Sequence, residues 1–133
     1  MKTMQFIEMC KREFAFLENV FGFKMIEQDV CDVGVEIVFK NDTTGVRIWY
    51  EFREFFVFVY ICQLVDGDLV LPSGEMCPDT KLYCYDLGDL VAIRSPESAI
   101  APYQSGTLLN TEALHAIICR QADNLTNYAK DIL

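Results

Sequence analysis

The chain has 133 residues, of which 52% are hydrophobic and 13% aromatic, and it carries a formal net charge of -9 with a pI near 4.4. This length suits one domain spanning residues 1–133, and the apolar content is too high for a disordered chain. The negative charge disfavours direct binding to nucleic-acid phosphates and favours a basic partner.

An amphipathic helix is predicted over about Thr3 to Phe21. Charged residues separate apolar residues that recur at spacings of three and four, namely Phe6, Cys10, Phe14, Leu17 and Phe21. Gly22 follows, and glycine readily adopts the left-handed backbone conformation that closes a helix. We therefore expect the chain to turn at Gly22.

A hairpin and a central strand are predicted next. After a polar stretch, residues 33–40 alternate apolar and polar side chains, and residues 41–45 have the composition of a turn. The second strand, 46–53, places Val46, Ile48, Tyr50 and Phe52 on one face. The third strand, 55–63, is apolar on both faces, so it should be central or covered.

The rest of the chain is predicted to hold two short strands and two helices. Leu69 to Leu71 and Lys81 to Tyr85 are the strand candidates, and Asp86 is positioned to cap a short helix over Leu87 to Arg94. Residues 95–106 indicate a loop. The final helix, with Asn110 or Thr111 as its N-cap, carries one apolar stripe consisting of Leu114, Ile117, Ile118, Gln121, Leu125, Tyr128 and Ile132.

These elements define the expected fold class. An N-terminal helix, an antiparallel β meander of four to five strands, a short helix and a long C-terminal helix make a two-layer α+β domain. Its helices should cover the apolar face of the meander and leave the opposite face of the sheet without a helical layer.

The negative charge is concentrated in one part of the sequence. Residues 64–100 hold seven acidic residues against Lys81 and Arg94. We define the acidic segment as Asp66 to Asp89. Its candidate partner-binding residues are Asp66, Asp68, Glu75, Asp79, Tyr83, Tyr85, Asp86 and Asp89. The alternative is that these acids only keep the protein in solution.

The six cysteines are expected to be reduced thiols in the cytoplasm. They are Cys10, Cys31, Cys62, Cys77, Cys84 and Cys119. The N-terminus lacks the apolar run of a signal peptide, and several of the cysteines lie in apolar periodic segments. The longest apolar run, Phe55 to Cys62, suits a buried strand and is too short to cross a membrane.

A search for chemical motifs predicts no catalytic site, metal site or cofactor. His115, the only histidine, lies four residues before Cys119, but Cys119 borders the apolar stripe and is interpreted as a buried, inert thiol. Cys77 and Cys84 lack the spacing of a zinc site. Glu51 and Glu54 are interpreted as ion-pair partners of Arg47 or Arg53.

A surface of aromatic residues and arginine is predicted on the uncovered face of the meander. We call it the aromatic face; its residues are Arg47, Trp49, Phe56, Phe58 and Tyr60. Protein interfaces are enriched in such residues. The alternative is that a loop of the same chain, residues 72–80 or 95–106, lies over it.

Two patterns in the first part of the chain resemble those of small bacterial proteins. Residues 14–23 read FAFLENVFGF and residues 46–53 read VRIWYEFR. Over roughly the first 60 residues, the chain is similar to immunity proteins of contact-dependent inhibition and polymorphic toxin systems. The resemblance implies a protein that binds a toxin and needs no catalytic group. It assigns no individual residue, because such proteins use contact surfaces that differ between pairs.

Three functional hypotheses follow from the sequence. The first is a cytoplasmic, non-enzymatic protein of the immunity type that occludes a basic, nuclease-like partner through the acidic segment. The second is a homodimer that buries the aromatic face around a two-fold axis. The third is an enzyme with Cys77 or Cys84 as its nucleophile.

Overall fold

The computed structural model describes residues 3–53, 56–64, 66, 84–95 and 111–133, and over these residues helices pack against one face of an antiparallel sheet. The sheet has five strands in the order β1-β2-β3-β4-β5. They are β1 Lys24–Val30, β2 Gly34–Lys40, β3 Thr44–Glu51, β4 Phe56–Gln63 and β5 Cys84–Asp86. The helices are α1 Thr3–Glu13, α2 Ala15–Asn19, α3 Leu87–Arg94 and α4 Thr111–Tyr128, followed by a 3₁₀ turn, Lys130–Ile132. The predicted α+β class is confirmed.

The N-terminal segment is two helices, which corrects the prediction of a single one. At Phe14 the backbone leaves the helical conformation, with φ -101° and ψ 13°. The Phe14 carbonyl then accepts a hydrogen bond from the Leu17 amide at 3.0 Å, which tightens the chain into a new turn. Both side chains are fully buried. Gly22 has φ +73°, as the predicted turn requires.

The sequence pattern does not predict the strand β1, because its apolar and polar residues do not alternate. Six of its seven residues are exposed, and it lies at the edge of the described sheet, where it pairs with β2 and packs Met25 against the core. The register shifts between Met25 and Glu27, which is a bulge. Charged residues and a bulge are both common on edge strands, since they discourage pairing with another chain.

The core lies on the face of the sheet that the sequence predicted. Residues 46 and 48 of β3 and residues 57, 59 and 61 of β4 are buried beneath the helices. The hairpin between β2 and β3 is closed by the Asn41 side chain, whose Oδ1 accepts hydrogen bonds from the amides of Thr43 and Thr44 at 3.0 and 2.8 Å. The strand β4 lies between β3 and β5, so it is central as expected.

The two later helices close the core from the other end of the chain. The Asp86 carboxylate accepts a hydrogen bond from the Asp89 amide at 3.2 Å, which confirms the predicted cap of α3. On α4, Leu114, Ile118 and Leu125 are buried. The buried Gln121 donates a hydrogen bond to the Val57 carbonyl at 2.7 Å, which ties α4 to β4.

Two of the six cysteines form a disulfide, which corrects the expectation that all are reduced. Cys62 on β4 and Cys84 on β5 are paired directly across the sheet, and their sulfur atoms are bonded. Cys10, Cys31 and Cys119 are free thiols, and Cys77 lies outside the described residues. The bond anchors β5, of which the described part of the chain includes three residues, Cys84–Asp86.

Reduction of the Cys62–Cys84 bond should destabilise the protein. The bond joins residues separated by 22 positions, so it restricts the unfolded chain. We expect reduction to lower the free energy of unfolding in urea by about 2 to 4 kcal/mol. The double variant Cys62→Ala/Cys84→Ala should be less stable and should no longer respond to the reductant. Equal stability of the wild type with and without reductant would show that the bond contributes nothing.

Two substitutions at Asp86 distinguish the contribution of its capping hydrogen bond to stability from the contribution of its charge. Asp86→Ala loses the cap and should lower the free energy of unfolding by about 1 kcal/mol, whereas Asp86→Asn keeps the acceptor oxygen. Burial raises the pKa of Asp86 above its ordinary 3.8. Protonation of Asp86 therefore stabilises the folded state. This contribution to the free energy of unfolding is complete below the ordinary pKa and is lost as the pH rises through the folded-state pKa.

The stability of Asp86→Asn relative to wild type should consequently increase from acid to neutral pH. Urea unfolding of wild type and Asp86→Asn, at a pH below the ordinary pKa of 3.8 and at neutral pH, measures this difference. If the Asn and Ala variants are equally unstable at every pH, the side chain does not act as a cap.

Candidate functional site

The aromatic face is assembled by the register of β3 and β4. Arg47 is paired with Tyr60, Trp49 with Phe58 and Glu51 with Phe56. Since side chains on paired residues point to the same side of a sheet, the predicted set shares the face opposite the core. Trp49, Phe58 and Tyr60 are half-buried, and Phe56 is only 6% exposed. Phe56 therefore supports the face through its ring contact with Phe58, at 5.0 Å between centroids.

Arg47 lies at the centre of the aromatic face. Its guanidinium carbon is 5.3 Å from the centroid of the Trp49 ring and 5.4 Å from that of Tyr60, within cation–π distance of both. It also forms an ion pair with Glu36 on the neighbouring strand β2. The expected pairing of Glu51 with an arginine is replaced by a hydrogen bond from Trp49 Nε1, at 3.0 Å; Glu54 lies outside the described residues.

The position of the Trp49 ring depends on the glycine beside it. A Cβ atom at Gly34 would lie 2.5 and 2.6 Å from two atoms of the indole ring and would overlap the Tyr50 carbonyl oxygen. The absence of a side chain at Gly34 therefore allows the indole to lie against the backbone of β2. This requirement could have been suspected from the glycine that opens an otherwise apolar strand.

A cavity of about 370 Å³ opens beside these rings. Its lining consists of Trp49, Glu51, Arg53, Phe58 and Tyr60. Aromatic rings, one carboxylate and one exposed guanidinium provide flat apolar surface together with both signs of charge. Such a lining suits a side chain of another protein. Residues 72–80 and most of 95–106, which were the alternative cover, lie outside the described residues.

The acidic segment is described only in part. Asp68, Glu75, Asp79 and Tyr83 lie outside the described residues. Asp66 is exposed just after β4 and has a φ of +52°. Tyr85 is 53% exposed, and Asp89 is also exposed. Asp86 is half-buried and engaged as the cap of α3, so it is the least accessible of the four described candidates.

A second cluster of polar side chains lies where the end of α1 packs against α4. His115 and Cys119 are one turn apart on α4, and α1 brings Glu13 to them. Glu13 Oε1 is 3.3 Å and Cys119 Sγ is 3.4 Å from His115 Nε2. Cys119 is half-buried, so its interpretation as a buried thiol was wrong. Sequence reasoning missed Glu13 because it is 102 positions from His115.

This cluster does not have the geometry of a catalytic triad. The carboxylate and the thiol both contact Nε2, whereas in a triad the acid orients the other ring nitrogen. Burial, and next the charge of Glu13, raise the pKa of the Cys119 thiol, which disfavours the thiolate nucleophile. Hydrogen bonding to His115, and to a smaller extent to Arg12, lowers the pKa of Glu13.

No family model, curated protein or solved structure matches the chain. In the described part of the chain, we find no helix with both the length and the apolar character needed to cross a membrane.

Gly34→Ala should displace the indole of Trp49, the only tryptophan. The added methyl group overlaps the ring and the backbone, so we expect a red shift of the tryptophan emission and a loss of about 1 to 3 kcal/mol in the free energy of unfolding. Ile26→Ala, on the exposed strand β1, is the control and should leave the emission unchanged. An unchanged emission in Gly34→Ala would mean that the ring does not lie against this glycine.

Proposed function

We propose that this protein is a non-enzymatic, cytoplasmic inhibitor of the immunity type, which binds a basic, nuclease-like protein and occludes it. The aromatic face is the observation that carries the proposal. Its half-buried rings surround a cavity and are flanked by arginines, which is the composition of energetically dominant interface positions. A binding surface of this kind needs no catalytic group.

The net charge supports a basic protein as the partner. At -9 the protein repels nucleic acid and attracts basic proteins over long distances. The exposed Asp66 and Asp89 belong to the acidic segment and are available to pair with lysine and arginine side chains. Electrostatic steering of this kind speeds association, while buried aromatic contacts slow dissociation. The two surfaces therefore have complementary roles.

The fixed geometry of Arg47 supports binding at the aromatic face. Because Arg47 is already held by Glu36 and by two rings, the face loses little side-chain entropy when a partner docks. An aromatic or aliphatic side chain of the partner would fill the cavity between Trp49 and Tyr60. In this proposal, exposed acids of the acidic segment pair with the basic groups of the partner that otherwise hold substrate phosphates.

The disulfide bears on two other expectations. Cys84 is bonded to Cys62, so it offers no free thiol to the alternative in which it is a nucleophile; Cys77 lies outside the described residues. Disulfides are rare in the cytoplasm. A cytoplasmic location accordingly requires that this bond be shielded from cellular thiols; Cys62 is completely buried, whereas Cys84 is half-buried.

A homodimer formed through the aromatic face is the alternative proposal. The same rings and cavity favour it, since an isologous interface needs only one self-complementary patch. It differs from the first proposal in its dependence on salt. Burial of aromatic surface between two copies is insensitive to ionic strength, whereas binding of a basic partner is weakened by salt.

The first test is capture of partners by the tagged chain from a lysate of the source cells, at low and at high salt, followed by mass spectrometry. We expect a stoichiometric basic protein that is retained less well at high salt. With that protein purified, Trp49→Ala should weaken binding by about 2 kcal/mol, roughly thirtyfold. Asp66→Asn/Asp89→Asn should mainly slow association.

Two further variants complete this test. Arg53→Ala changes an exposed residue of the cavity and should weaken binding without affecting the fold. Glu8→Gln/Glu18→Gln removes two exposed acids from the helices and is the matched charge control. Recovery of the chain alone, as a dimer at both salt concentrations, would favour the homodimer. If Trp49→Ala and Arg53→Ala each bind the basic partner as tightly as wild type does, the aromatic face is not the binding surface.

A further inference from the structure

Three potential metal ligands of different chemistry converge where α1 packs on α4. Glu13, His115 and Cys119 each direct one donor atom to a common region, and these three atoms all lie within 4.8 Å of one another. His115 and Cys119 have the i, i+4 spacing with which two helical side chains hold one ion. The third ligand comes from the end of a different helix.

Two of the three ligand-to-ligand distances match the edges of a tetrahedral zinc site. With bonds of about 2.0 Å to nitrogen and oxygen and about 2.3 Å to sulfur, a tetrahedron separates nitrogen from oxygen by about 3.3 Å and nitrogen from sulfur by about 3.5 Å. The corresponding separations here are 3.3 Å between Glu13 Oε1 and His115 Nε2 and 3.4 Å between Cys119 Sγ and His115 Nε2. Both separations from His115 Nε2 therefore fit a tetrahedral zinc ion as they stand, and Glu13 Oε1 and Cys119 Sγ lie within 4.8 Å of each other.

From this geometry we propose that Glu13, His115 and Cys119 bind a divalent metal ion of the zinc class, with the fourth position open to water. The metal ion displaces the proton of the Cys119 thiol into solvent, and the resulting thiolate together with the Glu13 carboxylate and a neutral His115 imidazole carries two negative charges, which a dication neutralises. All three side chains are half-buried, so solvent has access to the fourth position. The site lies on the helical layer, and its test does not depend on the proposed binding function.

A cation already interacts with two of these ligands. The Arg12 guanidinium donates from Nε to Glu13 Oε1 at 3.2 Å, and its Nη2 is 3.3 Å from His115 Nε2. His115 Nε2 lies within hydrogen-bonding distance of a donor, Arg12, and of an acceptor, Glu13, and a metal ion requires the tautomer in which Nε2 carries no proton. The Arg12 side chain is 65% exposed, so it can move into solvent when a metal ion arrives. Arg12 is thus a competitor for the site.

The test uses the untagged full-length chain, freed of metal with a chelator and titrated with Co²⁺ and then Zn²⁺. Cobalt should bind at one equivalent and produce a thiolate-to-cobalt charge-transfer band together with the intense visible bands of four-coordinate geometry. Zinc should displace it. Cys119→Ala, His115→Ala and Glu13→Gln should each weaken binding by at least about tenfold. Arg12→Gln should bind at least as tightly as wild type.

The controls distinguish this site from adventitious binding by other thiols. Cys31→Ser/Cys77→Ser removes two cysteines outside the cluster and should bind cobalt as wild type does. Circular dichroism and urea unfolding establish that each variant is folded. Absence of the thiolate band in the wild type, or its persistence in Cys119→Ala, would overturn the proposal. Weaker binding by Arg12→Gln would overturn the competing role of Arg12.

Discussion

Burial of one face of the sheet is the constraint on which the rest of this structure depends. Adjacent strands align Ile37 with Ile48 and Ile48 with Val59, so that a continuous apolar surface meets the helices. A slip of one residue in this register would turn that surface toward solvent and bury Arg47 and Glu36 in its place. Because charged groups are costly to bury, the alternation of polar and apolar residues along β2 and β3 selects this register, whereas β4 is apolar on both faces and adds no such selection.

The aromatic face is a consequence of the same register. Residues that alternate with the core must lie on the opposite side, and here they include Trp49, Phe58 and Tyr60. Gly34 and the ion pair between Arg47 and Glu36 then determine how the rings are arranged. Pairing of β3 with β4 therefore positions Trp49, Glu51, Phe58 and Tyr60 around the cavity, and the turn after β3 adds Arg53.

The helical layer brings together residues that are far apart in the sequence. The packing of α1 on α4 places Glu13 beside His115 and Cys119. Near the C-terminus, Arg94 of α3 forms hydrogen bonds with Asp131, which lowers the pKa of that carboxyl, and with the Tyr128 carbonyl at the end of α4. Gln121 connects α4 to the sheet. Polar contacts of this type orient helices whose apolar stripes alone would tolerate some rotation.

The sequence by itself determined the fold class, the buried face of the hairpin, the central position of β4 and the cap at Asp86. Each of these depends on local chemistry, namely a spacing of two or of three to four residues, or one capping side chain. The strand β1 and the break at Phe14 were decided by tertiary structure, because an exposed edge strand has no apolar signal and local periodicity does not record a backbone kink. The bond between Cys62 and Cys84 and the approach of Glu13 to His115 likewise required the folded chain, since a linear pattern contains no information about which distant residues meet.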